Sequence, residues 1–145
     1  MKFIAIIIST FFYLGKVRFA PGTVASLATL IIWNFITLDS LLIRLLIALI
    51  ITFLGFISIK ISSSEFKIED PPEIVIDEVV GMSIPLLFII DNFFLSVISF
   101  ILFRILDICK PSIIYYSQTF KGEYGVLMDD ILSGLIVALI IIHYL

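Results

Sequence analysis

One cysteine and one histidine are all that the 145 residues offer. A lone Cys109 excludes an internal disulfide and a cysteine-built zinc site. No arginine follows it six residues on, so the loop of cysteine phosphatases is missing. The only histidine, His143, stands near the C-terminus. Charge is scarce as well, at 14% of residues, where a soluble domain keeps roughly a quarter. The net charge of −3 and a pI near 4.9 argue against nucleic acid as a partner. No glycine-rich phosphate loop of the Walker type occurs, and neither a repeat period nor a low-complexity linker stands out. Lys2 precedes an apolar run from Phe3 to Leu14, but Gly15-Lys16-Val17-Arg18-Phe19 is no small-residue cleavage pattern. The N-terminus is therefore expected in the mature protein.

What is abundant is grease. Hydrophobic residues make up 61% of the chain, and mean hydropathy is +1.25. Too little polar surface remains to cover an apolar core, so lipid is the expected solvent for most of the chain. The length suits one domain, residues 1–145.

Five apolar stretches follow one another: Val24–Leu38, Leu41–Ile61, Val79–Ile90, Phe93–Leu106 and Ile131–Leu145. As a helix the second would span roughly 30 Å, the thickness of a hydrocarbon core. Its one interior charge, Arg44, is expected to snorkel to the interface. The expected fold is all-α, an integral membrane bundle of four to five transmembrane or re-entrant helices. Residues 1–14 either cross or lie in the interface as a short helix. Short turns at Asp39-Ser40 and Asp91-Asn92 mark one face. The other face holds Lys16, Arg18, Lys60, Lys67, Arg104, Lys110 and Lys121, while the first keeps Arg44. This Lys/Arg bias makes the second face cytoplasmic.

Every short motif rich in Gly, Pro and charge falls on that cytoplasmic face. Asp77-Glu78 stands at the mouth of an apolar helix, and Asp129-Asp130 repeats the arrangement before Ile131. Carboxylates at a helix start are favoured by the macrodipole, a bland explanation for either pair taken alone. Two acidic pairs on one face would repel each other without a positive charge between them. Oxygen-only ligands suit a hard cation such as Mg2+, so Asp77, Glu78, Asp129 and Asp130 are the candidate metal ligands and catalytic carboxylates. Arg104, Asp107 and Lys110 recur at helical spacing, with Pro111 ending the helix. They read either as snorkelling cations with a salt-bridge partner or as a phosphate grip. In the second case Arg104 and Lys110 hold oxygens while Asp107 orients them or binds metal. Pro21-Gly22-Thr23 opens another helix, where Thr23 is either an N-cap or a phosphate contact. Cys109 is expected to be a packing residue. The chemistry left open by these absences is metal-activated water attacking phosphorus.

At these four motifs the sequence resembles the phosphatidylglycerophosphatase A family over Gly15 to Gly134. Its motifs match Pro21-Gly22-Thr23 with Ser26, Ile74-Val75-Ile76-Asp77-Glu78-Val79-Val80-Gly81, Phe103 through Pro111, and Gly125 through Gly134. Departures fall at Ala25, Ile113-Ile114 and Glu123, which affect loop shape more than chemistry, and Leu127 stands at the family's Met position with Met128 beside it. The resemblance implies Mg2+ dependence and hydrolysis of phosphatidylglycerophosphate in phospholipid synthesis. It also implies a multi-pass protein of the bacterial inner membrane with its site facing the cytoplasm. A homo-oligomer stays open. Other readings are a phosphatase for a different phosphomonoester and a small divalent-cation binder or transporter. A transporter expects polar groups through the midplane, and Ile47–Leu54 and Ser133–Ile142 carry only scattered Ser and Thr.

Overall fold

The computed structural model describes residues 2–35, 40–66, 71–110 and 123–144. Among them are six α-helices and no strand: α1 (Lys2–Ser9), α2 (Pro21–Phe35), α3 (Leu41–Phe66), α4 (Ile76–Leu86), α5 (Phe93–Cys109) and α6 (Glu123–Tyr144). The all-helical expectation holds. Asp39, Lys67, Pro111, Ile113-Ile114 and Lys121 lie outside the described residues.

By length and composition α3 is long and apolar enough to cross a membrane over Leu41–Ser62. Leu42, Leu46, Leu49 and Phe53, one to a turn along that helix, are each more than half exposed. A row of bare aliphatic and aromatic side chains is costly in water and costs nothing in lipid. The first residues do not form a span. The eight residues of α1 give about 12 Å of helix at 1.5 Å per residue.

Short α4 is the centre of the molecule. Nine of its eleven residues are buried, packed among α2, α3, α5 and α6. On one side lie Ala25, Ile59, Val79, Val80 and Leu127. On the other lie Leu30, Trp33, Met82, Leu86, Phe103 and Val137. Glycine sets how closely α4 meets α6. A Cβ on Gly134 would run into the Gly81 carbonyl, and one on Gly81 would stand 2.6 Å from the Asp130 carbonyl. The two backbones therefore touch where only hydrogen fits.

Ending so short a helix inside the molecule strands its last carbonyls. Arg44 supplies the donors. It is 4% exposed, and its Nη1 donates to the carbonyls of Leu86 (3.1 Å), Leu87 (3.1 Å) and Ile89 (2.5 Å). Its guanidinium carbon stands 5.8 Å from the Trp33 ring centroid, while Trp33 Nε1 donates to Ser83 Oγ at 3.0 Å. The expectation that Arg44 snorkels outward is thus corrected: buried carbonyls outbid the interface for its donors. Cys109 is corrected the other way, being exposed rather than packed.

Candidate active site

Asp77 and Glu78 occupy the first turn of α4, where the macrodipole favours negative charge. No side chain caps this helix. Its entry is held instead by the Val75 N–H, which donates to the Ser9 carbonyl at 2.9 Å. Asp129 and Asp130 are placed differently from the expectation. They lie well inside α6, which begins at Glu123, so the dipole of a helix start does not account for them. Asp130 comes to the first pair because Gly81 packs on its carbonyl.

Ligand oxygens of Asp77, Glu78 and Asp130 all lie within 4.8 Å of one another. Asp77 is 8% exposed and Asp130 3%. Asp129 stands beside this trio and is engaged elsewhere, its Oδ2 accepting from Lys110 Nζ at 2.7 Å. Asp107 approaches from α5, and its charge bears on Asp130. Its Oδ2 pairs with Arg104 Nη1 at 2.7 Å. The expected face of Arg104, Asp107 and Lys110 is therefore real, and it turns toward the acids. Lys110 is set by the end of α5, where its own residue turns left-handed (φ 41°).

The Pro-Gly-Thr motif arrives at the same place. Pro21 opens α2 with its φ already helical. A Cβ on Gly22 would overlap the Glu78 carboxylate, so glycine there makes room for the acid. Thr23 follows, half-buried in the same turn. Ser26 had carried no role of its own in the sequence. It is fully buried, donates to the Gly22 carbonyl at 2.8 Å and faces Arg104 Nη1 at 3.4 Å. Its signal in the sequence was a hydroxyl one turn beyond Gly22 in an apolar helix.

Burial holds the Glu78 carboxyl above its ordinary value, offset in part by a hydrogen bond with Asp77 and the charge of Arg104. Burial also raises Asp130, reinforced by the charges of Asp107, Glu78 and Asp129. For Lys110, burial pulls downward but the hydrogen bond and charge of Asp129 outweigh it, so the ammonium is kept protonated. Glu78 Oε2 and Asp130 Oδ1 are buried and accept no hydrogen bond among the described residues. Buried oxygens without donors are costly, and a hard cation with an all-oxygen preference would satisfy them. The donor set fits Mg2+.

A helical protein that gathers buried acids beside paired cations has donors and acceptors suited to a cation together with an anionic group. Comparison with known proteins makes this class particular. Residues 7–145 match the model of the family Phosphatidylglycerophosphatase A, and the chain belongs to that family. An Escherichia coli K12 protein named Phosphatidylglycerophosphatase A is 31% identical over 126 residues, covering 86% of this chain and 73% of its own. A Haemophilus influenzae protein of the same name is 29% identical over 130 residues, with coverage of 88% and 80%. A Bacteroides thetaiotaomicron protein, provisionally named a phosphatidylinositol-3-phosphatase, is 39% identical over 141 residues, with coverage of 92% and 88%. No solved structure matches the chain.

Proposed function

We propose that this protein is a Mg2+-assisted lipid phosphatase that converts phosphatidylglycerophosphate to phosphatidylglycerol in phospholipid biosynthesis. The observation that carries the reading is the meeting of Asp77, Glu78 and Asp130 within 4.8 Å, flanked by Arg104 and Lys110. Asp77, Glu78 and Asp130 would hold the ion, with Asp129 at its edge. When bound, the ion supplies charge neutralisation at the phosphate and lowers the pKa of a water. Arg104 offers a planar fork and Lys110 a point charge to the phosphate oxygens. Asp107 keeps Arg104 oriented, and Thr23 with the first amides of α2 faces the same anion. A water oxygen forms the new bond to phosphorus, the bond to the glycerol oxygen breaks, and that oxygen takes a proton. Inorganic phosphate and the lipid alcohol leave. Asp129 is placed to manage the proton, since it neighbours Asp130 in the chain and its Oδ2 is held 2.7 Å from Lys110 Nζ.

The membrane setting is part of the proposal. Segments 24–35, 41–61, 79–90, 93–106 and 131–144 lie in or re-enter the bilayer of a bacterial inner membrane. The acids stand at their cytoplasmic mouths, where a lipid headgroup reaches them while its acyl chains stay among apolar helices. The 39% identity to a protein named for a phosphoinositide favours one second reading, an inositol-phosphate headgroup in the same site.

One assay separates the readings. Purified protein in mixed micelles is given phosphatidylglycerophosphate or phosphatidylinositol 3-phosphate, with Mg2+ or with EDTA. Mg2+-dependent phosphate release from the first lipid is expected. Preference for the second would reassign the substrate, and release unaffected by EDTA would remove the ion from the mechanism.

A further inference from the structure

We propose that the loop between α1 and α2 is an anionic-lipid collecting edge that delivers substrate to the site. The proposal rests on the lipid-phosphatase reading for its purpose, and on separate observations for its place. After α1 the backbone reverses through Phe11, Phe12 and Tyr13, all left-handed at φ 44°, 54° and 69°. Three such residues without glycine are costly and must be held by their surroundings. Thr10 Oγ1 holds them, donating to the Ile6 carbonyl at 2.7 Å and accepting from the Tyr13 N–H at 3.2 Å.

What this reversal presents outward is specific. Phe12 is 72% exposed and Phe19 87%. Lys16, Val17 and Arg18 are exposed between them, and Lys16 Nζ lies 4.7 Å from the Tyr13 ring centroid. Among the described residues neither Lys16 nor Arg18 pairs with a carboxylate. Aromatic rings interleaved with exposed cations match the headgroup zone of an anionic leaflet, apolar below and negative above.

The ends of the loop tie it to the segment that leads into α4 and to Glu78. A Cβ on Gly15 would overlap the Glu73 carbonyl, and Gly22 abuts Glu78. Lys16 to Phe19 therefore hang between the chain entering α4 and the Glu78 carboxylate of the site. Lipid held by Lys16 and Arg18 stands beside the first turn of α2, next to Arg104's partner Ser26.

The test reads contact directly. Phe19→Trp is placed in bilayers containing brominated phosphatidylglycerol or brominated phosphatidylcholine, and its quenching is compared with that of the wild type. The native Trp33, 4% exposed, supplies a constant background. Stronger quenching by the anionic lipid is expected, and its preference should disappear in a K16Q/R18Q background but survive K16R/R18K. In the micelle assay K16Q/R18Q should raise the apparent KM by about fivefold for each charge removed, with kcat unchanged. Equal quenching by both lipids, or none from either as when protein covers the loop, overturns the proposal. If headgroup preference holds while wild-type protein releases no phosphate, the enzymatic reading fails and the lipid edge stands.

Discussion

Asp129 and Asp130 are neighbours in sequence with different surroundings. Asp130 faces Asp77 and Glu78, whereas Asp129 takes a hydrogen bond from Lys110. Asp129→Asn should lower kcat by roughly 10²–10⁴-fold, the usual weight of a positioned proton carrier, while the protein still inserts and accumulates. Near wild-type phosphate release would remove Asp129 from the chemistry. Arg104→Lys keeps the charge but loses the fork that meets Asp107. It should raise KM for the lipid, and an unchanged KM would show that Arg104 serves packing alone. The acids and cations were legible from spacing alone, because chemistry of this kind leaves charge where apolar residues otherwise prevail. The partition between Asp129 and Asp130 was not, since adjacent residues on a helix diverge by about 100° and only the partners reveal where each points.

At the scale of the helix, Gly134 and Arg44 carry the testable weight. Gly134→Ala would press a methyl into the Gly81 carbonyl. Separating α4 from α6 should cost about 1–3 kcal/mol and, by moving Asp130, lower activity more than stability. A variant with full activity and an unshifted Tm would contradict the close crossing. Arg44→Met leaves the carbonyls of Leu86, Leu87 and Ile89 without their donor. A loss of about 1–3 kcal/mol, read as a lower Tm in detergent, is expected with metal binding intact. Each apolar run seeds a helix, but α4 starts at Ile76 and stops at Leu86, short of the run's end at Ile90, and Asn92 caps α5 by accepting from the Leu95 N–H at 3.1 Å. The buried seat of Arg44 could not be read from its sequence neighbours. It is set by carbonyls contributed 42 to 45 residues later. The extra turns of α6 ahead of Asp129 were missed for a simpler reason: Gly125 and the acidic pair read as a break before the apolar run at Ile131.

For the molecule as a whole, burying acids has a cost that the proposed ion would offset. Glu78 and Asp130 have folded pKa values raised above their unfolded ones. Each therefore keeps a proton in the folded state after the unfolded chain has lost it. Stability of the ion-free protein should fall as pH rises through that window. Mg2+ should restore it, and increasingly so toward neutral pH, because fewer protons then compete for the oxygens. Thermal unfolding in detergent with Mg2+ and with EDTA, at mildly acidic and neutral pH, checks the sign. An ion effect that shrinks as pH rises would contradict it.

The most direct measurement is titration of the purified protein with Mn2+, as a spectroscopic stand-in for Mg2+, followed by electron paramagnetic resonance. Saturable binding is predicted for the wild type, displaced by Mg2+, and lost in Asp130→Asn without a change in helix content. If the wild type binds no ion, or the variant binds it equally well, the cluster is not the metal centre on which the proposed catalysis depends.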